Sequence, residues 1–206
     1  MHDSSDSVPK TQRGRASRDR LVEVAAQAVV AGGIHQLRLD EVLAAAGSSK
    51  SQMYHYFQDR DGLVEAAVTY RCTEVLDRLA GAFGSVGSLG DLTSVLTAFA
   101  DEYAEHLAGC PIGTLASELT SGPEPARRVV VDAFAAWESF LAQALTRIRD
   151  AGELRPDADP STLATGLLAA LEGGMFLGQV RRDPTPLRAA LTAGLGYLRG
   201  FQQKLD

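Results

Sequence analysis

The chain has 206 residues, 45% of them apolar, which is enough for a real core and excludes disorder as the default state. Its formal charge of −6 argues against a nucleic-acid binder only until the charges are located: Lys10, Arg13, Arg15, Arg18 and Arg20 face one acid, Asp19, while residues 61–206 carry 12 basic and 19 acidic side chains. Two cysteines without ligand spacing, no signal peptide and no uninterrupted apolar stretch of ~18 residues exclude a disulfide framework, a zinc module and a membrane partner, and imply a cytoplasmic protein.

In chain order, residues 1–17 are polar and basic and are expected to form a flexible arm. Leu21, Val24, Ala25, Ala28 and Val29 then recur at helical steps until Gly32-Gly33 stops them. A short apolar segment, Leu39 to Ala46, ends at Gly47, and Lys50 to Phe57 follows as a further two turns. Two short helices about a glycine turn form a helix-turn-helix, so residues 18–60 are expected to be one domain and 61–206 another. From Arg60 the periodicity runs to Phe83. Ser88 and Asp91 form a capping box with a shortened acid, and the stripe from Leu89 to Leu107 is broken at Gly109-Cys110-Pro111. A long helix starts near Pro123-Glu124-Pro125 and stops at Gly152. Asp159-Pro160 and Asp183-Pro184 announce the last two helices, and in the first of these Gly166, Ala170, Gly174 and Gly178 form a small-residue ridge suited to close helix approach. Hardly any segment alternates like a strand, so the fold is expected to be all-α.

Residues 38–63, RLDEVLAAAGSSKSQMYHYFQDRDGL, resemble the DNA-binding module of the TetR family of bacterial regulators. The resemblance rests on Ala46-Gly47, Ser49-Lys50, Tyr54-His55-Tyr56-Phe57, Arg60 and Leu63. The stretch from Gly109 to Leu119 is similar to a subgroup that includes multidrug-type repressors. The family resemblance implies a homodimer that binds double-stranded operator DNA and answers to a small-molecule effector, with no cofactor. It makes Lys50, Ser51, Gln52, Tyr54 and His55 groove contacts, and Ser49 and Arg60 phosphate contacts. Arg38 stands where the family usually has a Ser or Thr that caps a helix and touches phosphate; Arg keeps only the second ability. Side-chain chemistry agrees: Ser51, Gln52 and His55 can face a major groove while Met53 and Phe57 turn inward, and the Gln52 amide can pair with adenine through two hydrogen bonds.

Other residues carry two readings each. Phe99, Tyr103, Trp137, Phe140, Met175 and Phe176 divide between core and the lining of an effector pocket, which would suit an apolar or aromatic molecule. Glu172, the lone charge in an apolar helix, either pairs with an Arg at a helix interface or lines that pocket. The last two helices, residues about 160–203, are expected to form the dimer interface, with the glycine ridge as part of it. His106 and Cys110 are four apart, but two ligands without partners do not make a metal site. No nucleophile elbow, dinucleotide loop or metal cluster supports an enzyme. An architectural DNA-binding protein without an effector is the alternative within the binding class, and the choice between repressor and activator stays open.

Overall fold

The computed structural model describes residues 9 and 11–203, and among these it contains nine α-helices and no strand. They are α1 (Gln12–Gly32), α2 (Leu39–Ala46), α3 (Lys50–Phe57), α4 (Arg60–Gly84), α5 (Leu89–His106), α6 (Pro111–Leu119), α7 (Glu124–Asp150), α8 (Pro160–Arg181) and α9 (Thr185–Arg199), with a 3-10 turn over Ile34–Gln36. The chain divides into two compact units. The first runs to Glu74 and takes in Thr114–Asp132; the second comprises Val75–Gly113 and resumes at Ala133. Thus α4, α6 and α7 each contribute one part to each unit, where a cut at residue 60 was expected.

Within the first unit, α1 starts earlier than its apolar stripe does. Thr11 accepts the Gly14 N–H on its hydroxyl, Arg15 donates to the Pro9 carbonyl, and the helix is under way by Gln12. Arg13, Arg15 and Arg18 therefore sit on a helix and not on a flexible arm. Polarity read as disorder was here a solvated helical turn with a cap and good helix formers; residues 1–8 and 10 lie outside the described residues. Leu21, Val22, Ala25, Ala26 and Val29 of α1 are buried with Val42, Leu43 and Ala46 of α2, Met53, Tyr56 and Phe57 of α3, and Leu63, Val64, Ala67 and Val68 of α4. Gly47 turns the chain between α2 and α3 at φ +60°, a conformation most side chains resist. Glu118, near the end of α6, accepts the Ile34 N–H at 2.6 Å, and the Arg60 guanidinium donates to the Ile34 carbonyl at 2.8 Å. The backbone of one residue, Ile34, is thereby held at both its N–H and its carbonyl at the entrance to the helix-turn-helix.

In the second unit, the caps follow the sequence signals. Ser88 and Asp91 form a reciprocal capping box on α5, and Asp159 accepts from the N–H groups of Ser161 and Thr162 ahead of Pro160. α6 was hidden in what read as a break. Pro111 opens it, as proline favours the first turn, and the Cys110 sulfur accepts the Gly113 N–H. Arg147 on α7 donates from Nε to the Val86 carbonyl at 2.8 Å and from Nη2 to the Phe83 carbonyl at 2.7 Å, so it grips the end of α4.

The C-terminal half of the glycine ridge of α8, Gly174 and Gly178, turns inward, whereas Gly166 stays exposed. A Cβ on Gly174 would lie 2.8 Å from the Leu187 Cα, and one on Gly178 would meet the Tyr103 hydroxyl and the Asp183 carbonyl. Gly174 keeps room for α9 and Gly178 for Tyr103 of α5, both in the same chain, which corrects for these two positions the expectation that the ridge belongs to a dimer contact. A different face of α8 is uncovered: Gly166, Ala169, Gly173, Phe176, Leu177 and Val180 are all exposed, as are Ala189, Ala193, Gly196 and Tyr197 of α9.

Candidate DNA-binding face and effector cavity

α3 separates its residues by chemistry. Met53, Tyr56 and Phe57 are buried, whereas Lys50, Ser51, Gln52, Tyr54 and His55 are exposed, Tyr54 to 47%. Ser49 caps the helix by accepting the Gln52 N–H, and the Gln52 side-chain oxygen accepts the Ser49 N–H in return. That oxygen is thus already engaged, which sequence reading did not anticipate; the Gln52 amide N–H₂ remains for a base. Arg38 stands at the N-cap of α2 without a capping bond and forms an exposed ion pair with Glu41. Arg60 is half-buried against the Ile34 carbonyl, with Asp61 3.8 Å away. Its position is that of a brace within the module.

The basic residues of α1 fall beside this face. A polar groove in the first unit is lined by Thr11, Arg13, Ser17 and Arg20 from α1 and by Gly47 and Gln52 from the turn and α3. Arg13 and Arg20 are exposed there. Arg18 is different: its guanidinium lies 5.1 Å from the centre of the Phe57 ring, so it helps close the core.

The second unit contains a cavity of about 320 Å³, lined chiefly by Val75, Leu79, Phe99, Tyr103, Trp137 and Met175, with Arg78, Glu102, His106 and Cys110 supplying its polar edge. Four of the seven expected lining residues meet there: Phe99, Tyr103, Trp137 and Met175. Phe140 is half-buried elsewhere on α7, and Phe176 lies on the uncovered face of α8, 64% exposed. A helix face rotates by about 100° per residue, so adjacent Met175 and Phe176 part company. Glu172 neither lines the cavity nor pairs with an Arg. It accepts a hydrogen bond from the Cys110 thiol and lies over Gly113, where a Cβ would be 2.5 Å from its Oε2.

Residues 21–67 match the family described as bacterial regulatory proteins, tetR family, and residues 85–194 match the tetracyclin repressor-like C-terminal domain. The transcriptional regulator AcuR of Cereibacter sphaeroides is 30% identical over 205 residues, 92% of each chain. The chain belongs to the TetR family. A TetR transcriptional regulator from Chloroflexus aurantiacus has the same fold, with a TM-score of 0.77 at 25% identity over 95% of this chain and 100% of that one. The regulatory protein TetR from Rhodobacter sphaeroides gives 0.72 at 25% identity over 88% and 98%.

As a TetR-family member the chain is a DNA-binding transcriptional regulator and not an enzyme. Its α7 and α8 are long and apolar enough to cross a membrane by length and composition alone, a length of run that charge and glycine had concealed in the sequence. In a family of DNA-binding regulators they are bundle helices. Sequence reading missed Glu118, Arg147, Val75, Arg78 and Leu79, since their roles depend on which helices meet. Pro111 was the available signal for α6.

Burial holds the Glu172 carboxyl above its ordinary 4.5, and the Cys110 hydrogen bond offsets part of that rise. Above pH 4.5 the unfolded chain ionises this group while the folded chain still holds the proton, so stability declines with rising pH until the folded carboxyl ionises too. Glu172→Gln should therefore be more stable than wild type at pH 8, with the difference vanishing near pH 4. Urea melts at the two pH values measure this, and an equal difference at both would remove the buried acid as the cause.

Proposed function

We propose that this regulator is a repressor that acts as a homodimer on operator DNA and is released when a small apolar or aromatic molecule fills the cavity of the second unit. The observation that carries the reading is the dual role of α4. Leu63, Val64 and Ala67 of this one helix are buried in the helix-turn-helix unit, and Val75, Arg78 and Leu79 line the cavity. A ligand that shifts α4 acts on the DNA-binding unit through a continuous helix. α6 supplies a second route, since Cys110 and Pro111 at its start line the cavity and Glu118 near its end holds Ile34. The resemblance to multidrug-type repressors falls on this same stretch.

We assign the operator contacts to Lys50, Ser51, Gln52, Tyr54 and His55 in the major groove, with Ser49, Arg38, Arg13 and Arg20 on phosphates. The Ser49 hydroxyl can still donate while its oxygen caps α3. Dimerisation falls to the uncovered faces of α8 and α9, which are apolar or small-residue surface beyond what a monomer usually leaves in water. A cytoplasmic location follows from access to DNA.

The decisive experiment selects an operator from random duplexes, then titrates candidate effectors against protein with and without it. Linkage requires operator to weaken effector binding by the factor by which effector weakens operator binding. Ligands that bind free and DNA-bound protein equally would sink the effector reading and leave an architectural or constitutive regulator. Within this reading, Arg13→Ala with Arg20→Ala should weaken binding to all DNA and reduce the slope of log K on log salt by about 2, one for each phosphate contact. Gln52→Ala should instead weaken the operator by ~1–3 kcal/mol while sparing random DNA. Gln52→Glu keeps the capping oxygen but not the amide donor, so it separates base contact from helix capping. An operator affinity retained in Gln52→Glu would assign the residue to capping alone.

A further inference from the structure

We propose that the cavity selects an uncharged planar molecule bearing a hydrogen-bond acceptor such as a carbonyl oxygen, which the indole N–H of Trp137 holds. The proposal rests on the effector reading above and names the chemical class of that effector. Trp137 lines the cavity and is only 2% exposed, yet its Nε1 has no hydrogen-bond partner among the described residues. A buried donor left unpaired is costly, and native structures seldom leave one without a use. Each of the other polar side chains around the cavity has at least one partner. The Tyr103 hydroxyl donates to the Met175 carbonyl at 2.8 Å, Arg78 is paired with Glu102 at 2.9 Å, and His106 Nδ1 lies 3.2 Å from the Glu102 carbonyl. The indole N–H is therefore the buried donor that a ligand can claim.

The surroundings set the rest of the chemistry. Phe99, Tyr103 and Trp137 contribute aromatic rings and Met175 a polarizable thioether, which together favour a flat apolar body. An anion would lose its hydration to an apolar wall whose one lining guanidinium, Arg78, is exposed and already paired with Glu102. A cation would exchange its hydration for an apolar wall whose one lining carboxylate, Glu102, is already paired with Arg78. A neutral acceptor incurs neither penalty.

The test uses four naphthalenes of one shape: 2-acetylnaphthalene, 2-ethylnaphthalene, 2-naphthoate and 2-naphthylmethylammonium, titrated by calorimetry against full-length protein. The acetyl compound should bind about tenfold tighter than the ethyl compound, the order of one buried hydrogen bond, and both charged compounds should be weaker still. Trp137→Phe keeps a ring and removes the donor, so it should abolish the acetyl preference while the ethyl compound still binds. A second readout needs no variant. Trp137 is the single tryptophan, so ¹⁵N-labelled protein gives one indole N–H resonance, which should move downfield with the acetyl compound and not with the ethyl one. Equal affinities for acetyl and ethyl, tighter binding of a charged compound, or an unmoved indole resonance would overturn the acceptor proposal while leaving the effector cavity intact. Failure of all four to bind, or binding without effect on operator affinity, would overturn the effector reading and this proposal with it.

Discussion

In the homodimer proposed above, Phe176→Glu with Val180→Glu should leave the protein monomeric at micromolar concentration and cut operator affinity by ~10²–10⁴-fold, the factor lost when two linked half-site contacts become independent. These side chains are 64% and 66% exposed within one chain, so neither supports the fold of its own unit. In a two-fold interface each substitution counts twice. Four large apolar side chains at ~1.5–3 kcal/mol each would lose their burial, and four carboxylates would face one another. Operator binding suffers in proportion, because the two recognition helices must be held about one DNA turn, ~34–36 Å, apart. Sedimentation gives the mass, and the far-UV spectrum shows that each chain remains folded. A variant that stays dimeric would remove α8 and α9 from the interface.

Gly174→Leu should have the opposite signature, a loss of stability in the chain itself. The added Cβ would meet the Leu187 Cα at 2.8 Å and the Ala190 Cβ at 3.1 Å. Backbone cannot step aside as a flexible side chain can, so α8 and α9 must separate along their contact. Replacing a mid-helix glycine returns ~0.8–1 kcal/mol of helix propensity, but overpacking costs ~1–3 kcal/mol or more, and a backbone clash belongs at the upper end. We expect a net loss of at least ~2 kcal/mol, a fall in melting temperature of ~4–8 °C for a chain of this size. A thermal melt of the variant measures it. If the melt is unchanged and only the mass falls, the ridge would belong to the dimer contact after all.

That contrast shows where sequence is informative. Helix limits were legible where a cap, a proline or a glycine marks them, as at Ser88, Asp159, Pro160 and Gly47, because these signals act within a few residues. The inward and outward faces of α3 were legible for the same reason. The glycine spacing of α8 signalled close approach correctly but could not name the neighbour, since any helix satisfies a small-residue ridge. Phe176 and Met175 carry equal aptitude for a cavity lining and are separated only by rotation about the helix. Gln52 was legible as a polar groove residue, whereas its bond to the Ser49 N–H depended on the side chain folding back on its own helix. Glu118 carried no local signal at all, because its partner lies 84 residues away.

The grip of Arg147 on the carbonyls of Phe83 and Val86 turns α4 into a lever with a fixed fulcrum. At ~1.5 Å of rise per residue, Leu79 and Val75 stand ~6–12 Å from Phe83, and Arg60 stands ~35 Å from it. A sideways displacement of ~1 Å at the cavity wall would then swing the Arg60 end by ~3–6 Å, if the helix stays stiff over its length. The lever enlarges displacement and not energy: on the effector reading proposed above, the force at the Arg60 end falls by the same factor, and the work of leaving the phosphates must come from the ligand's preference for the shifted state.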